Sequence, residues 1–155
     1  MPRKRIETIV RGFALNGGRL LLCRAQAGYF YLPGGHIEFG ESATDALIRE
    51  FAEETGLPIS VGPLLLTTEA RFTQDGTDRH ELNLMFHVEH AGPWPDTVPS
   101  REDDIGFEWV DLAAVVDLDL RPTSVRAWIA SGGRTPTGAV GPLGLDPAPW
   151  ISESG

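Results

Sequence analysis

One cysteine in 155 residues rules out an intrachain disulfide and a thiolate metal cluster. Cys23 lies in an apolar run and reads as a buried structural residue. No apolar stretch approaches the roughly 18 residues that span a bilayer. The basic start MPRKR is followed by Glu7 and Arg11 without the apolar core of about 7–15 residues that a secretory signal needs. No membrane association and a cytoplasmic location are therefore expected. Basic residues are also short: 13 Lys and Arg stand against 22 Asp and Glu, for a formal net charge of −9. Such a field repels a phosphodiester backbone, so nucleic acid is not an expected partner, whereas a small phosphorylated ligand arriving with metal is compatible with it. His36, His80, His87 and His90 lack the spacing of a zinc site.

What remains is an ordinary globular composition, 41% hydrophobic and 23% charged. At this length a single domain buries about 70% of its unfolded surface. The acidity is uneven. Residues 35–57, GHIEFGESATDALIREFAEETGL, hold Glu38, Glu41, Asp45, Glu50, Glu53 and Glu54 against Arg49 alone, which is more than half of the net charge. Ser42 and Asp45 form a capping-box pattern that starts a helix near Ala43, and Gly56 with Pro58 stops it. At about 100° per residue, Glu50, Glu53 and Glu54 share one arc, beside an apolar sector of Leu47, Ile48, Phe51 and Thr55. Like charges so placed repel, and a single guanidinium at Arg49 is not expected to neutralise all three. All-oxygen donors select a hard cation, Mg²⁺ or Mn²⁺ in preference to Zn²⁺. A solvated acidic helix face is the alternative for any Glu-rich helix taken alone.

The whole segment resembles the box of the Nudix hydrolase family, G-x5-E-x7-R-E-U-x-E-E-x-G-U with U a bulky aliphatic residue. Gly35, Glu41, Arg49, Glu50, Glu53, Glu54 and Gly56 fill its fixed positions, a coincidence of about 10⁻⁸ at a given start by average residue usage. Leu57 fits the last U, while Phe51 stands where an aliphatic residue is usual, a departure that bears on core packing. The resemblance implies Glu53 and Glu54 as main metal ligands and Glu50 as a further ligand or the acceptor of the water proton. It also implies an oxygen from the Gly35 carbonyl, with Arg49 and Glu41 orienting the ligating carboxylates. Members often recruit one more acid from outside the box. Glu102, in a loop before a strand, is the choice here, with Glu81, Asp103 and Asp104 competing. Arg24, Arg71 and Arg79 are candidates for phosphate contact. Tyr29, Tyr31, Phe72 and Trp94 are candidates for stacking a base.

Along the chain, 6–15 and 19–25 read as strands of a hairpin joined at Asn16-Gly17-Gly18, followed by a short strand at 29–32. After the helix, 59–72 is extended and broken at Gly62-Pro63, 74–78 is a polar turn, and 80–90 is a strand with Leu82, Leu84, Phe86 and Val88 on one face. A strand at 107–110 leads to Asp111, which is expected to cap a helix through about Val116, and 123–130 makes another helix. This order suits an α/β sandwich with a mixed sheet, and the resemblance implies the same α/β/α fold. The hydrolase domain is assigned to 1–130. Residues 131–155, with six Gly and four Pro, are a tail expected to dock through Val140, Leu143, Leu145, Trp150 and Ile151 on the domain or on the partner of a homodimer. The expected activity is Mg²⁺-dependent hydrolysis of a small nucleotide carrying a diphosphate linkage, with a nucleotide-sensing domain of the same fold as the alternative.

Overall fold

A computed structural model describes residues 3–133 and 149–154. Its strands are β1 (Glu7–Asn16), β2 (Arg19–Ala25), β3 (Phe30–Tyr31), β4 (Gly34–His36), β5 (Ile59–Gln74), β6 (Thr77–His90), β7 (Ile105–Asp111) and β8 (Trp150–Ser154). The helices are α1 (Ala43–Thr55) and α2 (Thr123–Ala130), with a 3₁₀ turn at Leu112–Asp117. The sheet runs β3-β2-β1-β6-β5-β8, with β4 also on β1 and β7 on β2. It is mixed, because β1/β6 and β5/β8 are parallel and the other pairs antiparallel. Among the described residues no helix is long and apolar enough to cross a membrane.

Alternation along β1 and β2 builds two cores. Phe13, Leu20 and Leu22 pack with Val115, Leu120, Val125 and Trp128 under α2 and the 3₁₀ turn. Val10, Ala14 and Leu21 pack with Ala46, Leu47 and Phe51 of α1. Helices thus cover both faces, the expected sandwich. Phe51 is fully buried. A Cβ on Gly12 would press into its ring at 2.6 Å, so the missing side chain on β1 makes the room that an aromatic needs at this box position.

Four local expectations require correction. The hairpin between β5 and β6 is tighter than a 74–78 turn: Asp75 (φ 51°) and Gly76 (φ 73°) alone form it, a two-residue loop whose positive φ values match the strand twist. Strand β5 is not interrupted at Gly62-Pro63; it passes through as irregularities between Val61 and Leu66. Along β6 the most buried side chains are Asn83, Met85 and Val88, so the polar-looking alternate face is covered as well. Asp111 makes no side-chain cap bond, and the segment after it is a 3₁₀ turn because only six residues separate β7 from Leu118. Val140, Leu143 and Leu145 lie outside the described residues. Trp150 and Ile151 belong to β8, which continues the sheet beyond β5, with Ile151 against the α2 core.

Candidate active site

Strands β1 and β2 pair only next to their turn, at Leu15–Leu20 and Asn16–Arg19; farther on, β1 turns to β4 and β2 to β7. That divergence opens a cleft of about 690 Å³. It is lined by Arg11, Glu81 and Asn83 of β1 and β6, by Gly34 just before the box and Gly35, Glu50 and Glu54 within it, and by Tyr29, Tyr31, Phe72, Arg71, Arg79 and Arg121.

The α1 end of the cleft is set by local chemistry. Ser42 caps the helix by accepting from Asp45 N at 3.1 Å, and Gly56 closes it in the left-handed conformation at φ 74°. Gly35 lies so near Glu50 that an added Cβ would overlap its carboxylate, and one on Gly34 would overlap the Val10 carbonyl. The box loop and the helix can approach this closely only with glycine there.

Arg49 does not neutralise all three of Glu50, Glu53 and Glu54, as expected, but it serves more acids than its single charge suggests. Its five donors go to Glu41 (Nη2 2.7 Å, Nε 3.1 Å), Glu50 (2.9 Å), Glu53 (3.2 Å) and the His36 carbonyl (3.0 Å). The planar fork reaches acids that fan out around it, which a point charge does not do. These bonds, first that from Arg49 and then one from the Glu38 amide, hold the Glu41 carboxyl below its ordinary range.

Glu54 is the acid left out. It is only 6% exposed, and its Oε2 is buried with no hydrogen-bond partner. Burial first, and then the Glu50 and Glu102 charges, push its pKa up to about 8. Among the described residues no three of His, Cys, Asp and Glu converge on one point. The reason is visible at Arg49, which draws Glu50 and Glu53 toward itself. The donor set nevertheless fits a hard cation. The orphaned carboxylate oxygen belongs to a residue that lines the cleft together with Glu50 and a side-chain-free Gly35, and a cation there would relieve the desolvated charge that otherwise keeps Glu54 protonated.

The other candidates divide. Glu53 is an exposed residue ion-paired to Arg49, outside the cleft lining. Glu102 is exposed too, on a loop that docks on the end of α1 through Arg101 N to the Glu54 carbonyl (2.8 Å) and Arg101 Nη1 to the Ala52 carbonyl (3.4 Å). Its charge is felt by Glu54, although Glu81 and not Glu102 lines the cleft. Asp103 and Asp104 are exposed on the same loop. Arg71, Arg79 and Tyr31 line the cleft; Arg79 Nη2 bonds Glu7 at 3.0 Å. Arg24 does not: it pairs with Glu108 at 3.1 Å on the surface. Trp94 packs tilted against His90 and edge-on against Trp109, also outside the cleft. Sequence reading missed Arg11, Asn83, Arg121, Glu153 and Ser154. A charge and an amide inside strands β1 and β6 were signals for the first two. Arg11 Nη1 donates to the Leu32 carbonyl at 3.1 Å, with its guanidinium 5.3 Å from the Tyr31 ring centre.

A family model for the NUDIX domain matches residues 6–130. The uncharacterized Nudix hydrolase YvcI of Bacillus subtilis is 31% identical over 103 residues, 66% of this chain and 64% of that protein, so the match spans just under two thirds of YvcI. A putative 8-oxo-dGTP diphosphatase 2 of Mycobacterium tuberculosis is 31% identical over 138 residues, 86% of this chain and 92% of that one. In fold, the crystal structure of a MutT protein from Methanosarcina mazei Go1 superposes with a TM-score of 0.66 at 24% identity, covering 84% of this chain and 95% of that one. The family match runs through both cores, and the box residues stand on α1 and the loop before it: the chain belongs to the Nudix family.

Proposed function

We propose that this chain is a metal-dependent hydrolase of a phosphoanhydride bond in a nucleoside diphosphate linked to another group, either a further phosphate or a sugar of the ADP-ribose kind. The observation that carries this reading is the partnerless, buried Glu54 in a cleft that arginines and aromatic rings also line. Glu54, Glu50 and the Gly35 carbonyl would hold Mg²⁺ or Mn²⁺, with Glu53 completing the acidic face; the ion would neutralise phosphate oxygens and acidify a water. Arg79 and Arg71 would meet the phosphate oxygens, and Arg11 adds charge in the same cleft. Tyr29, Tyr31 and Phe72 offer flat surfaces for a base. Arg49 fixes the Glu50 carboxylate in place, which leaves Glu81 or Glu102 to take the proton of the attacking water, Glu81 from the cleft lining and Glu102 from the loop beside Glu54.

The test is a panel of nucleoside triphosphates, their oxidised forms and nucleotide sugars incubated with Mg²⁺, read by released phosphate, pyrophosphate and nucleoside monophosphate. Release from at least one member, over many turnovers per enzyme molecule, is expected. Tight binding with no release from any member would replace the hydrolase with a nucleotide sensor.

A further inference from the structure

The cleft is not closed by the box and its neighbouring strands alone. Strand β8 runs parallel to β5, from Thr67 beside Trp150 to Arg71 beside Ser154, and Glu153 and Ser154 line the cleft. The strand's two faces are both tied down. On one, Ser152 Oγ donates to Glu69 Oε2 at 3.2 Å and Arg71 Nη2 donates to Ser154 Oγ at 3.0 Å. On the other, Glu153 Oε2 accepts from Thr123 Oγ1 at 2.8 Å and from the Ser124 backbone N–H at 2.9 Å.

Those last two bonds matter because α2 begins without a cap of its own. The residue at its N-cap, Pro122, has no side chain that can accept, and Glu153 supplies both the missing acceptor and the negative charge that a helix N-terminus favours. What the cap fixes is a wall of the site. Arg121, Pro122 and Thr123 line the cleft, and the Arg121 guanidinium lies 4.4 Å from the centre of the Tyr29 ring, which lines it too. Arg121 N also donates to the Phe30 carbonyl at 2.9 Å, so the start of α2 and the aromatic strand β3 move as one piece.

We propose that Glu153 is a positioning residue for substrate specificity: through the Thr123 end of α2 it holds Arg121 and Tyr29 as the surface that receives the planar base of a nucleotide, while the phosphates lie toward Glu54. This rests on the hydrolase reading above for the location of the phosphates. The role belongs to binding of the base and not to the bond cleaved, since the Glu153 carboxylate is engaged by Thr123 and Ser124 at the start of α2.

The experiment measures dissociation constants, in the presence of Mg²⁺, for two probes: the slowly hydrolysed GTP analogue with a methylene between its α- and β-phosphates, and inorganic tripolyphosphate, which has the charge but no base. Glu153→Ala is expected to weaken the GTP analogue at least about fivefold while leaving tripolyphosphate within twofold, and Glu153→Gln, which still accepts both bonds, to restore most of the loss. Thr123→Val, which removes one of the two bonds at the other partner, is expected to shift the same ratio in the same direction and serves if Glu153→Ala does not fold. An unchanged ratio, an equal loss for both probes, or a wild type that prefers neither probe would overturn the inference. A wild type that shows the preference yet releases nothing from any nucleotide would support it and refute the hydrolase reading instead.

Discussion

Replacing Glu54 by Gln isolates the cost of a buried carboxylate that the fold leaves without a partner. In the folded chain Glu54 keeps its proton up to about pH 8, whereas at its ordinary value near 4.5 the unfolded chain has already released it. Between those values the folded state binds the extra proton, so metal-free stability falls as pH rises from about 4.5 to about 8. At 1.36 kcal/mol per unit the ceiling on that loss is roughly 5 kcal/mol, and relaxation and water entry lower it to about 2 kcal/mol as the working figure. Gln keeps the shape and removes the charge, and its amide can donate toward the Glu50 or Glu102 carboxylates. In excess chelator at pH 8.5 the variant should therefore melt roughly 4–8 °C above wild type, and below about pH 4.5 the two should coincide. Mg²⁺ should raise the wild-type melting temperature at pH 8.5 and leave the variant's nearly unchanged, while turnover in the variant falls by at least about 10²-fold. A variant that is less stable than wild type at both pH values would refute this, because Glu54 would then be a structural hydrogen-bond partner.

The same geometry sets other expectations. Since metal must displace the Glu54 proton, the apparent Mg²⁺ affinity should rise by up to about tenfold per pH unit and level off near pH 8, with proton release detectable by calorimetry in buffers of different ionisation enthalpy. Glu81→Gln and Glu102→Gln should separate the two candidate bases: the true one lowers kcat far more than it changes KM, and the other leaves kcat within a few-fold. Gly12→Ala should cost about 1–3 kcal/mol in urea unfolding through overpacking on Phe51, and Phe51→Leu should recover most of that loss in the double variant; equal costs in the presence and absence of Phe51 would remove the packing explanation.

The sequence was most legible where one segment carries its own instructions. The helix at 43–55, its Ser42 cap and its Gly56 stop are set by local patterns and stand as read. So do the β1–β2 hairpin and the two-sided core, because strand alternation and helix periodicity are each written within a few residues. The site was legible only in part. Box spacing places Glu50, Glu54 and Gly35 beside the cleft, but which acid stays free of Arg49 depends on how the guanidinium fork lies in three dimensions. Arg24 and Arg71 look alike in sequence, and they part company because β2 sends one toward Glu108 while β5 sends the other toward Ser154. The capping of α2 by Glu153 joins residues 29 and 30 positions apart across the sheet edge, a pairing that no local pattern records.

The central claim is that the acidic face of α1 and the arginine- and aromatic-lined cleft form one site, in which metal and nucleotide phosphates meet. A thermal-shift matrix of Mg²⁺ against non-hydrolysable nucleotide analogues tests it most directly. A bare polyphosphate is repelled by Glu50, and by Glu54 once it ionises, and the metal relieves that repulsion, so each ligand should tighten the other reciprocally. The pair should then raise the melting temperature by several degrees more than the sum of the separate shifts, a stabilisation of about 2.7 kcal/mol at one hundred times Kd. Strictly additive shifts for every analogue would contradict a shared metal–phosphate site.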